Sequence, residues 1–173
     1  MLPDLSVVLG GAASGKSTFA EGLVAASGRD RVYLATARIH DEEMRTKVDR
    51  HRSLRGAGWH TVEAPLEVGP ALAAVPRHSA VLLDCATMWL SNHLLAEHDL
   101  AGAEAGLFEG LAACPAPVVV VSNEVGLSVV PENALARRFR EAQGRLNQRL
   151  ASHADLVVNV VAGLPQVLKG TLP

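Results

Sequence analysis

The segment Gly10-Gly11-Ala12-Ala13-Ser14-Gly15-Lys16-Ser17 combines glycines, a lysine and a hydroxyl at the spacing GxxxxGKS. Glycines let a backbone curl until successive N–H groups converge, and converging amides bind anions. A helix opening directly behind them adds its partial positive end. At this spacing Lys16 should reach the β- and γ-phosphates of a nucleoside triphosphate, and the Ser17 hydroxyl should ligate Mg²⁺. A simple glycine-rich turn before a helix would explain the glycines but not Lys16 and Ser17. A companion lies in Val81-Leu82-Leu83-Asp84, an apolar run ending in an acid. At the carboxyl end of a strand beside the phosphate loop, Asp84 can hold the same metal directly or through water.

A second chemical candidate sits in the highly charged stretch 38–55. A helix starting at Asp41 would place Met44, Val48 and His51 on one face, with Arg52 and Arg55 just beyond. A histidine among arginines near a triphosphate can stabilise charge, shuttle a proton, or attack phosphorus to form a phosphoramidate. Spacing alone favours the plainer alternative, a histidine packed on Met44 and Val48 beside solvated arginines.

These residues need a scaffold, and the hydrophobic pattern supplies one. Short β-branched runs at 5–9, 31–36, 60–63, 80–84, 118–122 and 155–161 read as strands, and several are apolar throughout, as strands covered on both faces are. Segments of helical period lie between them, at 16–26, 41–52, 67–74, 88–97, 103–113 and 131–152. The alternation predicts an α/β fold with a mostly parallel central sheet flanked by helices. With no internal repeat and no long linker, residues 1–173 form one domain. In the last helix Leu135, Phe139, Ala142, Leu146 and Leu150 make one apolar stripe, and Pro131 with Glu132 suits its start. Asn92, His93 and His98 interrupt a stripe of Trp89, Leu90, Leu94 and Leu95; without a partner in view both histidines read as surface or part-buried.

The chain has 173 residues, 49% of them hydrophobic and 20% charged, enough apolar content to exclude intrinsic disorder. Its formal charge of −2 gives no electrostatic case for a nucleic-acid partner. Cys85 and Cys114 lack metal-ligand or CxxC spacing and read as reduced core residues, which favours the cytoplasm. No apolar run is long enough to span a bilayer, and the amino terminus has an acidic Asp4 and no basic segment, unlike a signal peptide. A regulatory GTPase fits poorly, because Ser122-Asn123-Glu124-Val125 stands where a guanine-reading Asn-Lys-x-Asp would be expected.

Longer motifs carry a family resemblance. They are Ala35-Thr36-Ala37, Asp41-x-Glu43-Met44, His51-Arg52-x-x-Arg55 and Trp59-x-Thr61-x-Glu63-x-Pro65. Leu82-Leu83-Asp84-Cys85, Trp89-Leu90-x-Asn92, Ser122-Asn123-Glu124-Val125-Gly126, Val130-Pro131-Glu132, Gly144-Arg145-x-Asn147-Gln148 and Ala154-Asp155 follow in order. Together they resemble the bifunctional adenosylcobinamide kinase/adenosylcobinamide-phosphate guanylyltransferase family, from the phosphate loop almost to Lys169. The resemblance implies a RecA-like P-loop fold and two reactions of cobalamin biosynthesis. In the first, ATP or GTP phosphorylates the aminopropanol hydroxyl of adenosylcobinamide. In the second, GTP donates GMP to that phosphate through a histidine that corresponds to His51. It also implies GTP contacts at Gly10–Ser17, at Ala35, Thr36 and Ala37, at Arg52, Ser53, Leu54 and Arg55, and at Glu63 and Asp84, together with a homotrimeric assembly. Where the family's loop often carries Arg, this chain has Ala13. Another P-loop metabolite kinase and a non-catalytic GTP sensor are the competing readings, and Asn123, Glu124 and Asn147 are candidates for either substrate or structural roles.

Overall fold

The computed structural model describes residues 1–38, 42, 46 and 56–173. Its elements run β1 Leu5–Gly10, α1 Lys16–Ala26, β2 Asp30–Ala35, β3 Trp59–Glu63, α2 Val68–Ala73, β4 Ser79–Asp84, α3 Ala86–Leu95, α4 Leu100–Ala113, β5 Val118–Asn123, α5 Ala134–His153, β6 Leu156–Val161 and β7 Leu164–Lys169. The strands form one seven-stranded sheet in the order β3-β2-β4-β5-β1-β6-β7. Every neighbouring pair is parallel except β6 with β7.

Burial follows the two-residue period of the strands. On one face Val8, Leu82, Val119, Val121 and Val158 pack with Ala20 and Val24 of α1. On the other, Val7, Leu34, Leu83, Val120 and Val157 pack with Leu72, Trp89, Leu90, Leu107, Leu146 and Leu150 of α2 to α5. Covered on both sides, β5 is buried from Val118 through Ser122, which explains its unbroken valines. Because β1 to β6 are parallel, their carboxyl ends share one edge, where the loops that can bind a ligand emerge.

The expected elements are found with shifted ends, and three differences have physical causes. Helix α5 starts at Ala134, not at 131, because Asn133 caps it: its side chain accepts from the N–H groups of Leu135 (2.8 Å) and Ala136 (3.2 Å). Similarly, α4 starts at Leu100 because the Asp99 carboxylate caps the N–H groups of Ala101 and Gly102. Strand β7 was not expected at all. A two-residue turn joins it to β6, with Ala162 at φ 52 and Gly163 at φ 78, the left-handed pair that a tight hairpin needs. All six β7 residues are exposed, so it shows no inside-outside alternation to read, and Pro165 is tolerated because the strand lies at the sheet's edge. Of the helix expected at 41–52, only Glu42 and Thr46 are described; both are helical, and the Thr46 hydroxyl donates to the Glu42 carbonyl at 2.8 Å. Among the described residues no helix is long and apolar enough to cross a membrane.

Candidate functional site: a phosphate loop facing an acidic strand end

The loop between β1 and α1 is shaped by contacts that dictate its residues. A Cβ on Gly10 would lie 2.4 Å from Ser14 Oγ and 2.7 Å from the Val160 carbonyl, so only glycine fits. Gly15 caps α1 with φ 91, and Ala13 is held at φ 55, a conformation that costs a residue with a Cβ about 1 kcal/mol. The Gly163 N–H, from the β6–β7 turn, donates to the Ser14 carbonyl at 2.8 Å. Across a planar trans peptide the C=O and N–H point oppositely, so anchoring that carbonyl to the β6–β7 turn directs the Gly15 N–H away from that turn. Helix α1 has no side-chain cap and no acid in its first turn, which leaves its first N–H groups to an anion. Lys16 Nζ donates to the Gly11 carbonyl at 3.0 Å. Burial lowers the lysine's pKa, against the opposing charge of Asp84, so a phosphate ligand relieves an ammonium that is short of solvent.

Asp84 ends β4 on the α1 face, and the Tyr33 hydroxyl donates to its Oδ2 at 2.9 Å. That bond fixes the carboxylate and leaves Oδ1 without a hydrogen bond among the described residues. Ser17 and Asp84 carry hard oxygen donors of the kind that could hold a magnesium ion. The neighbouring Cys85 is no nucleophile. Burial first, and the Asp84 charge second, push its thiol up to about 12, and its sulfur instead accepts from the Met88 N–H at the start of α3.

The β2–β3 side of the edge divides into brace and surface. Ala35 pairs in register with Asp84 on one side and Glu63 on the other; Ala37 is half-buried and Glu63 exposed. Thr36 is fully buried and wholly engaged. Its hydroxyl donates to the Cys85 carbonyl and accepts from the Cys85 N–H, each at 2.8 Å. The Thr36 N–H donates to the Asp84 carbonyl at 3.2 Å, and Asn92 Nδ2 donates to the Thr36 carbonyl at 2.8 Å. Thr36 thus ties the end of β2 to the Asp84 backbone. The structure brings Gly10 through Ser17, Ala35, Thr36, Ala37, Glu63 and Asp84 to one edge of the sheet. His51, Arg52, Ser53, Leu54 and Arg55 lie outside the described residues.

Some residues important to this edge escaped the sequence, and others were named there without a settled role. Tyr33 was one, although the strand period puts it on the same face as Ala35 and so within reach of Asp84 on the adjacent strand. Another group is the buried polar cluster behind β5. Ser122 Oγ donates to Asn147 Oδ1 (2.6 Å), Gln143 Nε2 contacts both Ser122 Oγ and Asn147 Oδ1 (2.9 Å each), and Asn147 Nδ2 donates to the Asn123 carbonyl (3.0 Å). Asn147 is a structural residue. Glu124 braces the following turn, its Oε1 accepting from the Gly126 N–H at 2.5 Å, while its own N–H donates to the Gly10 carbonyl at 3.0 Å. His93 proved more buried than expected: only 6% exposed, its ring packs at a 60° tilt against Trp89, 4.7 Å between centroids, and shares a 3.1 Å hydrogen bond with exposed His98. Burial above all lowers its pKa. It lines a cavity of about 390 Å³ between α2, α3 and α4, to which the phosphate loop contributes nothing.

Comparison with known proteins agrees with this arrangement. Among solved structures, the fold is similar to the RadB recombinase, with a TM-score of 0.54 at 19% identity over 91% of this chain and 74% of that one. It is also similar to an ATPase of the type III secretion system of pathogenic bacteria, with a TM-score of 0.55 at 12% identity over 96% of this chain and 57% of that one. The fold is therefore the RecA-like P-loop fold. In sequence, the chain is 44% identical to the bifunctional adenosylcobalamin biosynthesis protein CobP of Pseudomonas aeruginosa, covering 95% of this chain and 96% of the relative. It is 39% identical to the CobU protein of Salmonella typhimurium and 38% to that of Escherichia coli, each comparison covering 94% of this chain and 98% of the relative. Residues 6–168 match the profile described as cobinamide kinase / cobinamide phosphate guanyltransferase, and the chain belongs to that family.

Proposed function

We propose that this chain performs two successive transfers on one corrinoid. A phosphoryl group passes from ATP or GTP to the aminopropanol hydroxyl of adenosylcobinamide, and GMP then passes from GTP to the new phosphate. The observation that carries the reading is the phosphate loop and Asp84 meeting at one sheet edge in a chain that matches the family from residue 6 to 168. In the phosphoryl step Lys16 and the loop amides stabilise charge on the phosphate oxygens. Mg²⁺, held by the Ser17 hydroxyl and the Asp84 carboxylate, would neutralise further phosphate charge.

The second transfer runs through His51, a role carried over from the family motif His51-Arg52-x-x-Arg55. The imidazole nitrogen bonds to the α-phosphorus of GTP, and the bond from that phosphorus to the α–β bridging oxygen breaks, releasing pyrophosphate. An oxygen of adenosylcobinamide phosphate then displaces the imidazole and yields adenosylcobinamide-GDP. Only the neutral imidazole has a free lone pair, so this step needs His51 deprotonated. The family resemblance assigns contacts with GTP to residues 35–37, Arg52, Ser53, Leu54 and Arg55, and Glu63.

The same reading extends to assembly and compartment. The exposed β7 edge carries Leu164, Val167 and Leu168, and a second copy can cover such an edge, in keeping with a homotrimer. Free Cys85 and Cys114 suit the reducing cytoplasm. The test is product analysis: wild-type protein with adenosylcobinamide, Mg²⁺ and GTP should give first the phosphate and then the GDP derivative by mass spectrometry. Nucleotide hydrolysis without either corrinoid product would overturn the proposal.

A further inference from the structure

Two side chains of α3 reach the turns that leave β2 and β3. Asn92 Nδ2 donates to the Thr36 carbonyl at 2.8 Å and to the Pro65 carbonyl at 2.9 Å, and Trp89 Nε1 donates to the Leu66 carbonyl at 2.9 Å. Thr36 and Pro65 both lie past the last residues of their strands, beyond the reach of the sheet's ladder. The two turns also meet directly, the Ala64 N–H donating to the Ala35 carbonyl at 2.8 Å. Asn92 is buried, so water has little access to these carbonyls in its place.

What Asn92 holds matters because of what Thr36 holds. The Asp84 carbonyl and the Cys85 N–H are the two polar groups of one peptide, and Thr36 binds both. Its N–H donates to that carbonyl at 3.2 Å, and its hydroxyl accepts from the Cys85 N–H at 2.8 Å. The hydroxyl also donates to the Cys85 carbonyl. Among the described residues, the one remaining partner of Thr36 is Asn92. Asn92 lies two turns along the helix that Cys85 caps, on the same helix face as that residue. The contacts therefore form a closed circuit, from the Asp84 peptide along α3 to Asn92, across to Thr36, and back to the peptide. The Tyr33 hydroxyl holds Asp84 by its carboxylate, whereas Thr36 and Asn92 hold it by its main chain.

We propose that Asn92 is a positioning residue which, acting through Thr36, fixes the Asp84 carboxylate for the magnesium ion of a bound nucleotide. This rests on the reading of the edge as a site for a Mg²⁺–nucleotide complex. Asn92 itself touches neither nucleotide nor metal, since both of its N–H groups are spent on carbonyls behind the edge. A partner that orients a metal ligand strengthens metal binding, because less order has to be imposed when the ion arrives. Loss of Asn92 should therefore weaken the metal more than the nucleotide, whose phosphates meet the loop and Lys16 on the other face.

The test compares wild type, Asn92→Ala and Trp89→Phe in GDP binding across a Mg²⁺ series by calorimetry, and in Tm. In Asn92→Ala the Mg²⁺ concentration that half-maximally tightens GDP binding should rise about tenfold, the low end of the cost of losing a partner behind a metal ligand. GDP affinity without Mg²⁺ should be unchanged. The Tm should fall, since two carbonyls lose their donor. Trp89→Phe loses the neighbouring bond to Leu66 and should also lower Tm, yet leave the Mg²⁺ dependence as in wild type. Asn92→Ser, whose hydroxyl can donate one bond in the same space, carries the comparison if the alanine variant does not fold. An unchanged Mg²⁺ requirement in Asn92→Ala, equal losses of GDP affinity with and without Mg²⁺, or the same shift in Trp89→Phe would each overturn the proposal. A wild type whose GDP affinity ignores Mg²⁺ would overturn it as well. Failure of wild type to make either corrinoid product would defeat the functional reading alone, because the binding comparison needs only GDP and Mg²⁺.

Discussion

The two faces of the sheet meet at the same carboxyl-end edge, yet they use polar residues oppositely. On the α1 face Lys16, Ser17, Asp84 and Asn123 are half-buried, and their polar groups are only partly spent on the protein. On the α2–α5 face Thr36, Thr87, Asn92, Ser122, Gln143 and Asn147 are buried, and they bond to backbone or to one another. The alternation of a strand is enough to make this division, since neighbours such as Ser122 and Asn123 point to opposite faces. One face keeps hydrogen-bonding capacity for a ligand, and the other uses it to hold the first face still.

The division makes substitutions on the two faces fail in different ways. The largest effect should come from Lys16→Ala, which removes a cation facing the phosphates. Both transfers should slow by about a thousandfold in steady-state assays, while calorimetry finds no loss of Tm because a half-buried ammonium is no longer desolvated. Asn147→Leu attacks the opposite face. It strands Ser122, Gln143 and the Asn123 carbonyl, and should cost about 3 kcal/mol in denaturant unfolding. Nucleotide affinity should then track the folded fraction.

Thr36→Val is the milder version, cutting both bonds to the Cys85 peptide for about 2 kcal/mol. A stable but inactive Thr36→Val protein would break the comparison, since that hydroxyl would then belong to the chemistry. Tyr33→Phe frees Asp84 Oδ2 and should lower kcat by about tenfold, with a small change in Tm.

The smallest effect is the acid limb of stability at His93. Burial lowers its pKa, so the folded state holds the neutral ring while the unfolded chain binds the proton first. That contribution is fully present above the ordinary imidazole value and is lost as pH falls below it toward the lowered one. Thermal melts from pH 7.5 to 5.5 should show Tm falling with pH, with a shallower fall in His93→Gln.

Much of this was legible in the chain because the responsible signals are local. The phosphate loop is a contiguous run whose glycines, lysine and serine each have a fixed geometric duty, and the strand-end acid follows a run of buried aliphatics. Strand β7 was not legible, since an exposed edge strand has no buried side to pattern, and the left-handed Ala162 carries no turn signature. Nor was the separation of Asn123 from Asn147, because it depends on strand register and on which helix covers which face. The pair Gln143 and Asn147, four residues apart beside the apolar stripe of α5, was the one hint of a buried polar cluster. Tyr33 needed only the alternation of β2 set against β4, and that pairing is long-range.

The most direct test of the central claim, that this edge serves a covalent guanylyl transfer, uses GTP labelled at the α-phosphorus. Protein incubated with it and Mg²⁺, then denatured, should retain label in a bond that is labile to acid and stable to alkali, as a phosphoramidate is, and His51→Ala should retain none. Absence of label from wild type, with γ-phosphoryl transfer alone, would contradict the guanylyltransferase reading, and label persisting in His51→Ala would assign the nucleophile elsewhere.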